Sequence, residues 1–363
     1  MARLGDVCKK GTSNIAQKDL EGHSGIYPIY GASGFITNVD FYQQENSYIA
    51  VVKDGAGIGR IMKLPAKSSV IGTMQYIIPN DTVDISYLAY AMEHMNLSKY
   101  FTGSTIPHIY FKDYQKEELP LPSLDEQRKI AAVLDKVSDL IAKRRQQLDK
   151  LDELIKARFV EMFGDPIINN MSWPKALIGD NCFVTKLAGF EYTQYIHYED
   201  SGDVVMVKAQ NVKKGKLNDK DISFISNEVS DSLPRSQLAP GDVVMTYVGA
   251  NIGDVALIDE KHKYHLAPNV AKIRPNSKVY DSTYFMYMLM FLNSYIMENS
   301  ADTAKAALGM ERIRKLVVCI PPIDLQRYFS DFVKKIDKSK SVVQKSLEQL
   351  ETLKKALMQE YFG

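Results

Sequence analysis

The feature that most constrains this chain is a stretch it carries twice. Residues 123–164 read SLDEQRKIAAVLDKVSDLIAKRRQQLDKLDELIKARFVEMFG, and residues 322–363 read PIDLQRYFSDFVKKIDKSKSVVQKSLEQLETLKKALMQEYFG. The two align without a gap at a shift of 199, so Asp125, Gln127 and Arg128 fall on Asp324, Gln326 and Arg327. Leu134, Ile141, Leu148, Ile155 and Met162 recur every seven residues in the first copy, and Ile336, Val343, Leu350 and Leu357 do so in the second. Such a stripe predicts a long helix whose apolar row is buried against another helix. At about 1.5 Å per residue each helix would run roughly 60 Å. Two sparsely apolar helices suit a mutual antiparallel coiled coil better than two separate surface helices. Ser123 with Glu126 fits a capping box after Pro120 and Pro122. The second copy has Pro322 in place of the serine, which leaves Asp324 as its candidate cap.

The segments ahead of the helices are also related. Leu4-Gly5-Asp6 with Cys8 matches Ile178-Gly179-Asp180 with Cys182, and residues 47–64 match 241–258. The chain therefore divides into a domain at 1–122, a helix at 123–164, a longer domain at 165–321 and a helix at 322–363. A repeat of this length is a duplicated unit, not a solenoid. Within each domain short strands are expected at 48–52, 60–64 and 75–78, and again at 243–247, 255–258 and 270–273. Helices are expected at 85–100 and 284–297.

Composition narrows the function. The net charge is +1, from 45 Lys+Arg against 44 Asp+Glu. No segment is a basic domain, so a nucleic-acid role requires cations gathered on one face or supplied by partners. Cys8, Cys182 and Cys319 lie far apart with no CxxC, which favours a reducing compartment and excludes a cysteine-rich metal site. No apolar run has the length of a membrane span, and no signal-peptide core follows Met1. A cytoplasmic protein without membrane contact is expected.

Catalytic motifs are absent. Gly55-Ala-Gly-Ile-Gly59 is followed by a strand pattern instead of a helix, so it reads as a hairpin turn and not a phosphate loop. Asp242 with Asp259-Glu-Lys261 is a short, common pattern and reads as solvated loop charge, and His262 and His265 lack a third ligand. No catalytic residue, metal or cofactor site is assigned. What remains are polar, aromatic and basic loops. In the first domain these offer Lys53, Arg60 and Lys63, then Ser104, Thr105, His108, Tyr110 and Lys112. In the second they offer Lys208, Gln210, Asn211, Lys213 and Lys214, then Tyr247, Asn251 and Lys305. Amide and guanidinium groups read base edges, and ammonium and hydroxyl groups hold phosphates, which makes these the candidate DNA contacts.

With Leu121-Pro-Ser-Leu-Asp-Glu-Gln-Arg-Lys-Ile130, its echo Ile320-Pro-Pro-Ile-Asp-Leu-Gln-Arg327, the Phe-Gly helix ends and the two Gly-x-x-x-Gly hairpins, the whole chain resembles the specificity subunits of type I restriction-modification systems. Leu325, where the first copy has Glu126, departs from the pattern. The resemblance implies an α+β fold with two mixed α/β target-recognition domains and two long helices paired as an antiparallel coiled coil, in a pseudo-two-fold internal repeat. It implies a subunit without chemistry of its own that reads a split sequence in double-stranded DNA, with the coiled coil fixing the unread spacer. The implied partners are two methyltransferase subunits and restriction or translocase subunits. S-adenosylmethionine, Mg and ATP would belong to those partners. Lys143, Arg144, Arg145 and Gln146 on the first helix are candidate docking residues, with a solvated helix face as the alternative. Two other classes make different predictions. A fused methyltransferase would bind S-adenosylmethionine on the isolated chain. A coiled-coil scaffold with two protein-binding domains would be indifferent to DNA.

Overall fold

The computed structural model describes residues 1–103, 107–298 and 307–363. The chain forms two compact units, Met1–Leu148 with Val342–Gly363, and Asp149–Ser341. Each unit holds one mixed α/β body, part of the helix Leu124–Phe163 and part of the helix Ile323–Phe362. No helix among the described residues is long and apolar enough to cross a membrane.

The two bodies share one plan. In the first, strands Cys8–Thr12, Met74–Pro79, Tyr48–Val52 and Ile61–Leu64 lie side by side in that order, all antiparallel. In the second, Cys182–Lys186, Val270–Pro275, Val243–Thr246 and Val255–Leu257 repeat it. A smaller sheet packs on each. In the first body Gly34–Val39 pairs antiparallel with Tyr27–Gly31, which pairs parallel with Ser69–Val70. In the second, Ser223–Ile225, Val204–Val207 and Lys263–Leu266 make the same order, extended by Gln237–Leu238. Tyr48–Val52 and Val243–Thr246 are buried along their whole length, as expected for central strands covered on both faces.

Each body begins with one helical turn, Leu4–Val7 or Ile178–Asn181. The repeated Gly-Asp pair explains it. The Asp6 carboxylate accepts the Arg3 N–H at 3.3 Å, and Asp180 accepts the Leu177 N–H at 3.1 Å. A Cβ on Gly5 would sit 3.3 Å from the Gln115 carbonyl oxygen, and one on Gly179 3.1 Å from the Arg314 side chain.

The long helices pair inside each unit. In the first, Val137, Ile141 and Leu148 meet Leu347, Leu350 and Leu357, while Leu134 shares a core with Met358 and Phe362. Residue numbers rise on one helix as they fall on the other, so the pair is antiparallel. In the second unit Ile155, Phe159 and Phe163 pack with Phe329, Val333 and Ile336. Ser123 Oγ accepts the Glu126 N–H at 3.4 Å, closing one half of the expected capping box. Asp324 does not cap its helix. It lies within the first turn, exposed beside Arg327 at 3.6 Å, while the Pro322 carbonyl accepts the Leu325 and Gln326 N–H groups.

The helix expected at 85–100 ends at His94 because Asn96 adopts a left-handed φ of 49°, and a short 3-10 turn, Leu97–Tyr100, follows. Ser282–Phe291 is likewise separated from Asn293–Glu298. Asp84 and Asp281 cap these helices, each accepting two first-turn N–H groups.

One glutamine joins body to helix in each unit. Gln127 and Gln326 are both fully buried. Gln127 Oε1 accepts the Asp84 N–H at 2.8 Å, and Nε2 donates to the carbonyls of Thr82 (3.1 Å) and Pro122 (2.9 Å). Gln326 does the same with the Asp281 N–H at 2.9 Å and the carbonyls of Val279 (3.0 Å) and Pro321 (2.8 Å). By contrast the neighbouring Asp125–Arg128 and Asp324–Arg327 pairs are exposed. Replacing Gln127 or Gln326 by Leu should therefore cost about 2–4 kcal/mol, because buried backbone groups lose their partners. Replacing Asp125 and Arg128 together by Ala should cost under about 1 kcal/mol. Urea unfolding of each variant, followed on the transition of the unit that carries it, checks both.

Candidate nucleic-acid interface

In the first unit the strand Tyr48–Val52 runs into the glycine loop and returns as Ile61–Leu64, so the loop is a hairpin turn. Gly59 has φ +78°, and a Cβ there would lie 2.5 Å from the Ser98 nitrogen. Gly253 (φ +83°) is the corresponding close approach in the second unit, against Asn293 at 3.1 Å. Backbone geometry alone requires a glycine at both positions.

The fold brings the two candidate segments of the first domain together. The Gly55 N–H donates to the Pro107 carbonyl (3.0 Å), the Ile109 N–H to Lys53 (3.0 Å), and Thr102 and His108 exchange backbone bonds at 2.9 Å. His108 Nδ1 contacts the Asp54 carboxylate, and Lys53 Nζ lies 3.3 Å from the same group. The Tyr110 ring packs at 4.1 Å from the His108 ring, with the Lys112 ammonium 5.2 Å above it. This leaves a mixed aromatic and cationic edge with Tyr110 and Lys112 exposed. The exposed Arg60 donates to the Ala32 carbonyl at 2.8 Å. Lys63 is drawn away, to Ser86 Oγ at 2.7 Å and toward Asp135 of the long helix at 3.9 Å. Ser104 and Thr105 lie outside the described residues.

The second unit repeats the clasp. The Leu308 N–H donates to the Tyr247 carbonyl (2.8 Å), the Tyr247 N–H to Asn269 (3.0 Å), and Val248 bridges Ala307. The Lys186 ammonium lies 5.4 Å over the Tyr247 ring, a contact with no motif in the sequence to announce it. Asn251 is exposed at the turn. Gln210, Lys213 and Lys214 are exposed, and Lys305 lies outside the described residues.

Two candidates of that loop are engaged internally. Asn211 is 3% exposed, and its Nδ2 donates to the carbonyls of Asn218 (3.0 Å) and Lys220 (2.9 Å), so it shapes the loop and has no donor left for a base. Lys208 Nζ is held by the Asp221 carbonyl at 2.6 Å and Ser223 Oγ at 3.0 Å. On the long helix, Lys143 and Gln146 are exposed, Arg144 donates to Gln147 at 2.9 Å, and Arg145 pairs with Glu351 of the other helix at 2.7 Å.

Asp242 is a correction to the reading as solvated charge. It is buried and bound at both oxygens by Arg274, at 2.6 and 2.7 Å, while Asp259 accepts the Tyr264 hydroxyl at 2.7 Å. Their side chains face different partners, and among the described residues no His, Cys, Asp or Glu group is placed to hold a metal ion. His265 is buried between two carbonyls, and burial holds its imidazole below the usual range. Burial also pushes the Lys272 ammonium down to about 8, although it donates to the carbonyls of Arg235 (2.6 Å) and Gln237 (2.8 Å).

The model of the family described as "Type I restriction modification DNA specificity domain" matches residues 1–153 and 185–352, and the chain belongs to that family. It is 26% identical over 390 residues to the type I restriction enzyme MjaVIII specificity subunit of Methanocaldococcus jannaschii, covering 99% of this chain and 90% of that protein. It is 20% identical over 251 residues to the EcoBI specificity subunit of Escherichia coli, covering 61% of this chain and 52% of that protein. Among solved structures, the S subunit of a type I restriction-modification system from M. genitalium superposes with TM-score 0.64 at 14% identity, covering 100% of this chain and 95% of that one. A chain solved for complex assembly and conformational transition of the type I R-M system gives TM-score 0.53 at 15% identity, covering 99% and 96%. The α+β architecture with two related domains is thus that of the family.

Lys272 generates a prediction. Its folded pKa lies below the ordinary lysine value, so between about pH 8 and 10.5 the unfolded chain binds more protons than the folded one. Stability of the second unit should therefore rise across that window and be lost as pH falls through about 8. In Lys272→Met this rise should disappear, as read by urea unfolding at pH 7.5 and 9.5.

Proposed function

We propose that the chain is the non-catalytic DNA-recognition subunit of a type I restriction-modification complex. It reads a split target in double-stranded DNA and docks methyltransferase subunits onto it, with restriction or translocase subunits as further partners. The observation that supports this best is a frame used twice with different surface groups at the same place. The strand order, the glycine hairpin, the capped helix and the glutamine clamp recur. The exposed edge beside the hairpin instead carries His108, Tyr110 and Lys112 in one unit and Lys186, Tyr247 and Asn251 in the other. A conserved scaffold with unlike reading edges suits two unlike half-sites, because phosphate and aromatic contacts position the protein while side chains at base edges specify the sequence. S-adenosylmethionine, Mg and ATP are assigned to partner subunits. Lys143 and Gln146 remain the more available docking candidates, since Arg145 is tied to Glu351.

Mapping methylated adenine across the genome of cells that make this chain with its methyltransferase tests the proposal. The expected result is a motif of two short blocks around a fixed unspecified gap, which disappears when the chain is removed. Exchange of residues 165–321 for another such domain should change one block only. Methylation indifferent to loss of the chain would refute the proposal and favour the scaffold reading.

A further inference from the structure

The two smaller sheets differ at one connection. Tyr27–Gly31 and Gly34–Val39 are joined by Ala32-Ser33. The corresponding strands of the second unit, Val204–Val207 and Ser223–Ile225, are joined by residues 208–222. In both units this connection meets the end of the glycine hairpin. Arg60 reaches the Ala32 carbonyl in the first. In the second, the Gly215 N–H donates to the Val255 carbonyl at 2.7 Å, and Gly215 bridges Ala256.

The insert is built as a rigid arm. Val212–Lys213 and Lys216–Leu217 form a ribbon turned by Lys214 and Gly215, both with positive φ (44° and 87°), the geometry of a tight hairpin. The Asn211 side chain ties its base to the carbonyls of Asn218 and Lys220. Lys216 pairs with Asp337 at 2.9 Å and Lys208 is held by backbone and hydroxyl oxygens. Lys213 and Lys214 are exposed, and among the described residues neither makes a salt bridge. The Gly215 bond to Val255 sets the turn that carries them against the returning strand of the glycine hairpin. The first unit has no cation in its Ala32-Ser33 turn.

We propose that this arm is a phosphate-holding element of the second unit, with Lys213 and Lys214 on the DNA backbone. The assignment rests on the proposed DNA-reading function. Two exposed ammonium groups on a preorganised ribbon contribute charge with little ordering on binding, and they carry no base-edge pattern.

The test uses the complete complex with its methyltransferase subunits and a duplex carrying the mapped target. For K213A/K214A, the slope of log affinity against log salt should become shallower by about 1.8, from about 0.9 per lost phosphate contact. The methylated motif should stay the same. K213R/K214R, which keeps both charges, should retain the wild-type slope and so excludes a purely structural effect. An unchanged slope in K213A/K214A, or a shallower slope also in K213R/K214R, overturns the arm's role alone. A changed second block means that the arm reads bases, which overturns the phosphate assignment. Absence of split-target binding by the wild-type complex would remove the underlying function as well.

Discussion

The rest of the structure depends on a buried amide. Gln127 and Gln326 each satisfy one N–H and two carbonyls that would otherwise be sealed from water at the start of a long helix. Only a carboxamide offers an acceptor and two donors without charge, and an ionised carboxylate could not donate to the two carbonyls. The clamp is reinforced by a tyrosine one turn into the neighbouring helix. Tyr87 bonds the Pro120 carbonyl at 2.9 Å and packs on Phe362, and Tyr284 bonds the Cys319 carbonyl at 3.2 Å and packs on Phe163. The Phe-Gly helix ends, the Gln of the helix starts and the Asp caps are thus parts of one joint. This explains why those positions recur while the sequences between them have drifted apart.

Charge explains why composition said little about DNA. Many cations serve the fold. Lys272 and Lys208 bind backbone carbonyls, Arg274 neutralises buried Asp242, and Arg145, Lys216 and Lys354 fasten helices to their surroundings. The cations left exposed near the hairpins are few. The net charge of +1 is blind to where those few stand, which is why a composition near neutrality says nothing about an interface.

Legibility in the sequence followed the length of the signal. The helices Leu124–Phe163 and Ile323–Phe362 were readable because a heptad stripe runs from Leu134 to Met162 in one and from Ile336 to Leu357 in the other, and the central strands because they are unbroken apolar runs. Cys8–Thr12 (CKKGT) was not readable, since it has no alternating pattern and is a strand only because Met74–Pro79 pairs with it. The left-handed Asn96 that ends the first helix had no local mark beyond a residue type that tolerates it. The candidate interface was legible in part. The loops were found as basic and aromatic stretches, but the sequence could not distinguish Asn211, spent on two carbonyls, from the exposed Gln210 one residue before it. That difference is tertiary. Gln127 and Gln326 aligned in the repeat without a role, because two of the three partners of each lie 43 to 47 residues upstream.

The place of divergence follows from the same mechanics. An insertion within the joint would strand buried backbone groups, and one within Val243–Thr246 would break pairing on both sides. A hairpin tip adds chain without disturbing either, and the entropy of a longer loop grows only logarithmically. The 208–222 connection reduces even that cost by closing on itself through Asn211 and a four-residue ribbon. The duplicated frame therefore leaves the tip beside the glycine hairpin as a position where one unit can acquire new surface chemistry while its clamp, caps and helix pairing stay as they are in the other.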